Sequence, residues 1–159
     1  MVNAAAREPG VKRVYDLLAE VCDPEIPVIN IVEMGILRDV TLDRASFTIK
    51  ISPTYSGCPA MDRIREDITE ALNANGIKDF QLETVLSPAW TTDMMWISAK
   101  EKLKNYGIAP PCLAGGPGPV CPQCSSADVR ELSYFSSTAC KSLYQCLACK
   151  EPFEYFKPH

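Results

Sequence analysis

The chain has 159 residues and 17.5 kDa, with 47% apolar and 23% charged residues, which excludes a disordered or fibrous protein and allows one domain, or one with a small appendage. Sixteen Lys and Arg against twenty Asp and Glu give a net charge of -4 and a pI near 5.0, the wrong sign for gripping a phosphate backbone. Nucleic acid is therefore not the expected partner.

The first nine residues carry no apolar run behind a basic start, so the expectation is a cytoplasmic protein with reduced thiols. The longest uncharged stretch, 105–127, is interrupted by five prolines and four glycines, and no membrane span is expected. Val11, Val14, Tyr15, Leu18, Val21 and Cys22 fall on one face of an amphipathic helix, which Pro24 ends. On this pattern Cys22 is a core residue. Asp23-Pro24-Glu25-Ile26-Pro27-Val28 follows as a stiff extended loop with two carboxylates, because two prolines fix φ and remove two donors.

Residues 36–42 and 47–52 alternate as strands and are joined by a hairpin at 43–45. After Ser56-Gly57-Cys58-Pro59 comes a helix with Met61, Ile64, Ile68, Ala71 and Leu72 on one face and Gly76 at its C′ position. A strand at 80–86 and a helix at 93–105, capped by Thr92, complete the series. The order helix, two strands, helix, strand, helix predicts a small α+β two-layer domain over residues 1–107. Four prolines and three glycines make 108–119 a linker, and 120–159 is left as a β ribbon with strands at 129–135, 142–145 and 152–156.

Forty residues with few apolar side chains need a metal, a disulfide or a partner to fold. Six of the eight cysteines (112, 121, 124, 140, 146 and 149) lie in the last 48 residues. Cys121-Pro122-Gln123-Cys124 and Cys146-Leu147-Ala148-Cys149 form a pair of C-x2-C knuckles 21 residues apart, the pattern of a tetrahedral zinc site. Four thiolates also suit iron, and that alternative stays open. A closed four-sulfur site leaves no open position, so the tail is expected to be structural. Cys140 is read as a buried strand thiol, although it lies close enough in sequence to substitute as a ligand, and His159 as a frayed terminus. Four Lys and Arg against four Asp and Glu in this tail again disfavour nucleic acid.

Cys58 stands apart, at the N-terminus of a helix whose dipole and free N–H groups favour a thiolate. Two readings stand side by side: a nucleophile or soft-metal ligand, or a thiol that merely caps the helix. Asp23, Glu25 and Glu33 could face it across the domain as oxygen ligands or proton acceptors, or be solvated loop carboxylates. The only histidine is terminal, so the usual base of a thiol enzyme is missing.

The blocks 23–27, 31–40 (Ile-Val-Glu-Met-Gly-Ile-Leu-Arg-Asp-Val) and 54–59 (Thr-Tyr-Ser-Gly-Cys-Pro) resemble the SufT-like domain of iron-sulfur assembly factors. From about residue 11 to the end, including Ser87-Pro88-Ala89-Trp90-Thr91-Thr92-Asp93, Tyr106-Gly107-Ile108-Ala109-Pro110-Pro111, Ser137-Thr138-Ala139-Cys140-Lys141 and Glu151-Pro152-Phe153-Glu154-Tyr155-Phe156-Lys157, the chain resembles the PaaD family of phenylacetate degradation. The resemblance implies a non-enzymatic maturation factor for the multicomponent oxygenase that epoxidises the ring of phenylacetyl-CoA, acting on the iron-sulfur cluster of its reductase. It implies that Cys58, with Asp23 and Glu25 near it, handles iron or a cluster transiently, and that Cys121, Cys124, Cys146 and Cys149 hold structural zinc. One cysteine does not hold a cluster alone, so a second protomer or the client would supply the remaining ligands. The alternative is a stoichiometric structural subunit of the epoxidase, docking through its ribbon and the Trp90 and Trp96 region.

Overall fold

The computed structural model describes residues 8–113 and 115–159; residues 1–7, read above for a leader, lie outside them. The chain forms two compact units, Met1–Trp90 and Thr91–His159.

In the first unit α1 (Pro9–Leu18) starts on a proline and buries Val11, Val14 and Leu18. It ends at Leu18 and not at Cys22. The N–H groups of Glu20 and Val21 turn back to Leu17 and Leu18 carbonyls at 3.2 and 3.1 Å, closing the last turn tightly, and Cys22 pairs in an isolated antiparallel bridge with Asn30. Cys22 is half-buried, while Val21 beside it enters the core. The 23–28 segment is curled and not extended. Asp23 Oδ1 accepts the N–H of Glu25 at 2.8 Å and of Ile26 at 2.9 Å, a turn for which the fixed φ of Pro24 is well suited. The curl delivers Ile26, Ile29 and Ile31, each 1% exposed or less, to the core.

The hairpin strands β1 (Leu37–Asp43) and β2 (Ser46–Ile51) are antiparallel, and Arg44 takes a positive φ of 57° in the turn. From β2 the chain crosses through α2 (Ala60–Ala74) to β3 (Phe80–Thr84), which pairs parallel to β2 and gives a sheet ordered β1-β2-β3. Ile64, Ile68 and Leu72 of α2 are fully buried, as are Ile49 and Ile51 of the sheet. Gly76, just past the helix end, adopts φ 77° as its C′ position requires. Trp90 is buried and its indole N–H donates to the Met34 carbonyl at 3.0 Å.

The second unit opens with a 3-10 turn at Thr92–Met94, then an extended Met95 and Trp96, and only then α3 (Ile97–Asn105). Thr92 therefore caps nothing. Its N–H donates to the His159 carbonyl at 3.2 Å, and the His159 ring lies edge-on to Phe156, so the terminus is tied down and not frayed. The ribbon sheet consists of β4 (Ile108–Ala109), β5 (Val129–Ser133), β6 (Lys141–Cys146) and β7 (Pro152–Phe156), ordered β4-β7-β6-β5. The division of the chain at 90 and 91 thus falls earlier than the Pro/Gly segment 108–119. β4, inside that segment, pairs parallel to β7, and Ala109 is fully buried in the ribbon core with Phe153 and Tyr155. No helix among the described residues is long and apolar enough to cross a membrane.

Candidate functional site

The two knuckles are built alike. In the first, the Cys121 N–H donates to Ser126 O at 2.9 Å; in the second, the Cys146 N–H donates to Glu151 O at 3.0 Å. The Leu147 N–H reaches across to Asp128 O at 2.8 Å, tying the second knuckle to the strand that leaves the first. These turns gather the Sγ atoms of Cys121, Cys124, Cys146 and Cys149 within 4.8 Å of one another. Cys121 approaches Cys149 at 3.7 Å and Cys124 approaches Cys146 at 3.6 Å.

Four sulfurs about 2.3 Å from one tetrahedral ion lie about 3.8 Å apart, so the spacing fits a bound ion. The donor set fits as well, since the Cys149 N–H points at Cys146 Sγ at 3.4 Å. That donor outweighs burial and, with the Ala148 N–H, lowers the Cys146 thiol, while at Cys149 burial and the surrounding sulfurs outweigh the Glu151 N–H and raise the thiol, so one sulfur of the coupled pair holds the proton that the other gives up. A thiolate is the form a metal needs. Cys121 and Cys146 are buried, whereas Cys124 and Cys149 face solvent.

The remaining tail cysteines lie outside this group. Cys112 packs on the core that holds Cys121 and Cys146, and its thiol donates to Gly118 O at 3.2 Å. Its N–H meets the Tyr155 hydroxyl at 3.4 Å. Cys140 is buried beside the Thr138 hydroxyl at 3.0 Å. Behind the sheet, Lys141, 4% exposed, pairs with Glu154 at 2.7 Å. The other oxygen of that carboxylate accepts from the Ser136 and Ser137 hydroxyls, each at 2.6 Å. Burial pushes the Glu154 carboxyl up, but Lys141 and the serines outweigh it and hold it near 2. Nothing in the sequence pattern marks this pair, since Lys and Glu are ordinarily surface residues.

In the first unit Cys58 sits directly before Pro59, the N-cap residue of α2. Its N–H donates to Tyr55 O at 3.2 Å, and Gly57 takes φ 77° to make that turn. The Thr54 hydroxyl lies 4.0 Å from the half-buried Sγ. The sequence predicts a stabilised thiolate here, and the balance runs the other way. Burial, with the Glu25 carboxylate adding to it, outweighs the Ala60 N–H and the Thr54 hydroxyl and raises the thiol. The Cys58 thiol is therefore shifted away from the thiolate and not toward it.

Glu25 is close enough to act on Cys58 electrostatically, while Asp23 is buried and spends one carboxylate oxygen on its own loop. Glu33 is buried too, with its N–H on Asn30 Oδ1 at 2.8 Å. Among the described residues, Cys58, Asp23, Glu25 and Glu33 form no group of three ligand atoms within 4.8 Å; the tail quartet does. The two tryptophans part company, Trp90 being core and Trp96 55% exposed.

Two family models match the chain: one described as an iron-sulfur cluster assembly protein over residues 12–79, the other as the PaaD zinc beta ribbon domain over residues 114–157. The chain is 45% identical to an Escherichia coli K12 protein named as a subunit of a "Putative 1,2-phenylacetyl-CoA epoxidase", across 97% of this chain and 96% of that protein. An Fe-S protein maturation auxiliary factor of Porphyromonas gingivalis is 35% identical over 81 residues, which are 50% of this chain and 76% of that one. The crystal structure of a domain of unknown function, DUF59, from Bacillus anthracis superposes with a TM-score of 0.57 at 31% identity, covering 64% of this chain and 97% of its own. An assembly-type first unit, a four-cysteine ribbon and a near full-length match agree, and the chain belongs to the PaaD family.

Proposed function

We propose that this protein is a non-catalytic maturation factor for the phenylacetyl-CoA 1,2-epoxidase, assisting assembly of the iron-sulfur cluster in the reductase component. Its relatives support a role related to iron-sulfur assembly. The observation that carries the finer reading is a single half-buried thiol, Cys58, at the head of α2 inside the assembly-type segment of a chain whose full-length relative is named for the epoxidase.

Burial keeps Cys58 as an inert thiol until a cation arrives; ligation of iron then displaces the proton, since only the thiolate is a ligand. Glu25 stands near enough to favour a cation at that sulfur. Iron or the cluster is cargo here, and the client or a second protomer completes its ligand set. The tail quartet holds zinc, contributing on the order of 10 to 16 kcal/mol to folding of a ribbon that lacks a large core.

The test is co-expression of the reductase with wild-type protein or with Cys58→Ser, followed by iron and sulfide determination on the purified reductase. The variant is expected to remain folded and to leave the reductase depleted in cluster. Equal loading would remove Cys58 from the function.

A second reading, a stoichiometric subunit, is favoured by the word subunit in the name of the Escherichia coli relative and by the exposed Trp96, Tyr134 and Phe135 of the second unit, 55 to 61% accessible. Co-elution with the oxygenase subunits in size exclusion would support it, and separate elution would favour the transient factor.

A further inference from the structure

We propose that the tail quartet is a peroxide-responsive zinc switch in which each solvent-facing cysteine is resolved by a buried cysteine of the opposite knuckle. This rests on the assignment of zinc to the quartet.

Two independent features of the site coincide. Cys124 and Cys149 are exposed while Cys121 and Cys146 are fully buried, so an oxidant in water meets one sulfur from each knuckle. All four sulfurs lie within 4.8 Å of one another, and two of the contacts run across the knuckles from an exposed to a buried sulfur, Cys124 to Cys146 at 3.6 Å and Cys149 to Cys121 at 3.7 Å. Every exposed sulfur thus has a buried partner beyond the reach of the oxidant and within reach of itself. Within the second knuckle, Cys146 Sγ is held by the Cys149 N–H at 3.4 Å, a contact that a bond between those two residues would disturb.

The chemistry follows the cysteine oxidation ladder. The Cys124 thiolate attacks hydrogen peroxide, the O–O bond breaks, and the sulfur becomes a sulfenic acid as hydroxide leaves and is protonated to water. Cys146 then attacks that sulfur, the S–O bond breaks, a second water is released and a disulfide forms. Cys149 and Cys121 repeat the sequence. Each disulfide consumes one peroxide, two thiolates and two protons from solvent and yields two waters; once both exist no thiolate remains, and Zn2+ is released. Both bonds bridge the knuckles, so the oxidised ribbon keeps its two ends joined. A dithiol or phosphine reductant together with zinc reverses the change. Cys112 and Cys140 take no part, their thiols being turned to Gly118 O and Thr138.

The experiment uses full-length protein purified with its metal. Zinc content is determined first, peroxide is then titrated while a chromogenic chelator reports released zinc, and the product is alkylated and digested with trypsin without reduction. Cleavage at Lys104, Arg130, Lys141 and Lys150 places the first knuckle on 105–130, Cys140 on 131–141 and the second knuckle on 142–150. The expected result is zinc release with loss of four thiols, peptide 105–130 joined to 142–150, and fragmentation giving the pairs 121 with 149 and 124 with 146. Cys112→Ser and Cys140→Ser, which leave the quartet whole, are expected to respond like wild type. Disulfides within each knuckle, linkage to Cys112 or Cys140, or zinc that stays bound at peroxide sufficient to consume the exposed thiols would each overturn the switch alone. Zinc missing before any peroxide is added would overturn the metal assignment beneath it.

Discussion

Ser125 and Lys150 occupy equivalent places in the two knuckles. Each lies four residues after the first cysteine of its turn, and each takes a left-handed backbone, φ 61° and φ 69°. Side chains with a Cβ pay for this conformation, and β-branched ones most heavily. The reversal turns the next residue back on each knuckle, so that the Ser126 and Glu151 carbonyls accept the N–H of Cys121 and of Cys146 at 2.9 and 3.0 Å.

Ser125→Gly is accordingly expected to leave the stability of the zinc-loaded protein unchanged or raised by up to about 1 kcal/mol, whereas Ser125→Val lowers it by about 1–2 kcal/mol. Chemical denaturation at fixed free zinc measures both. Lys150→Gly gains less, because the Lys150 ammonium also donates to the Leu147 carbonyl at 2.5 Å. A Val variant as stable as wild type would show that the backbone at 125 is not strained.

Asp23 separates two roles that the sequence alone leaves merged. Its Oδ1 accepts two N–H groups, so Asp23→Asn keeps the turn while removing the charge. Asp23→Ala loses both contacts at a cost of about 1–2 kcal/mol. If Asp23 acts by shaping the loop that carries Glu25, the Asn variant loads the reductase like wild type and the Ala variant does not. Equal loss in both would make the carboxylate charge itself the functional feature.

The Lys141–Glu154 pair gives the second unit an acid dependence with a definite sign. Glu154 is held near 2 from an ordinary 4.5, so its contribution is fully present above about 4.5 and fades as the pH falls toward 2. Glu154→Gln leaves Lys141 buried without its counter-charge and is expected to cost about 1–2 kcal/mol near neutrality. Loss of any metal from the quartet in acid affects both proteins, so the observable is their difference, constant above about pH 5 and shrinking below it. A difference independent of pH down to 4 would contradict the depressed carboxyl.

Metal removal is expected to act on one unit. A strong chelator under reducing conditions should collapse the amide resonances of residues 108–157, because binding and folding of the ribbon are one equilibrium, while those of α1, α2 and the three-stranded sheet persist. Retention of the ribbon resonances after the metal is gone would mean that the Phe153, Tyr155 and Phe156 core suffices to fold it.

Much of this organisation is legible in the sequence where one interaction dominates. The quartet is fixed by a two-residue gap that sulfur–metal geometry requires, and α2 by a long apolar stripe between Pro59 and Gly76. Legibility fails where competing local contacts are close in energy. Periodicity carries α1 on to Cys22, but Asn30 offers Cys22 a bridge and the chain leaves the helix at Leu18. Pro24 and Pro27 suggest an extended loop, and the Asp23 side chain supplies the two hydrogen bonds that curl it. Thr92 looks like a cap until its N–H is claimed by the carbonyl of His159, 67 positions away along the chain. The Cys58 thiol is misjudged for a related reason: a dipole can be read from adjacent residues, whereas burial depends on the fold.

The two-residue strand Ile108–Ala109 governs how this protein can be dissected. A fragment cut at the end of the proline-rich stretch would carry every knuckle cysteine yet leave one margin of β7 bare and a gap where Ala109 sits among Phe153 and Tyr155. Titrated with zinc, such a peptide would report an affinity lowered by the folding work its missing strand no longer does. A faithful excision begins at Thr91.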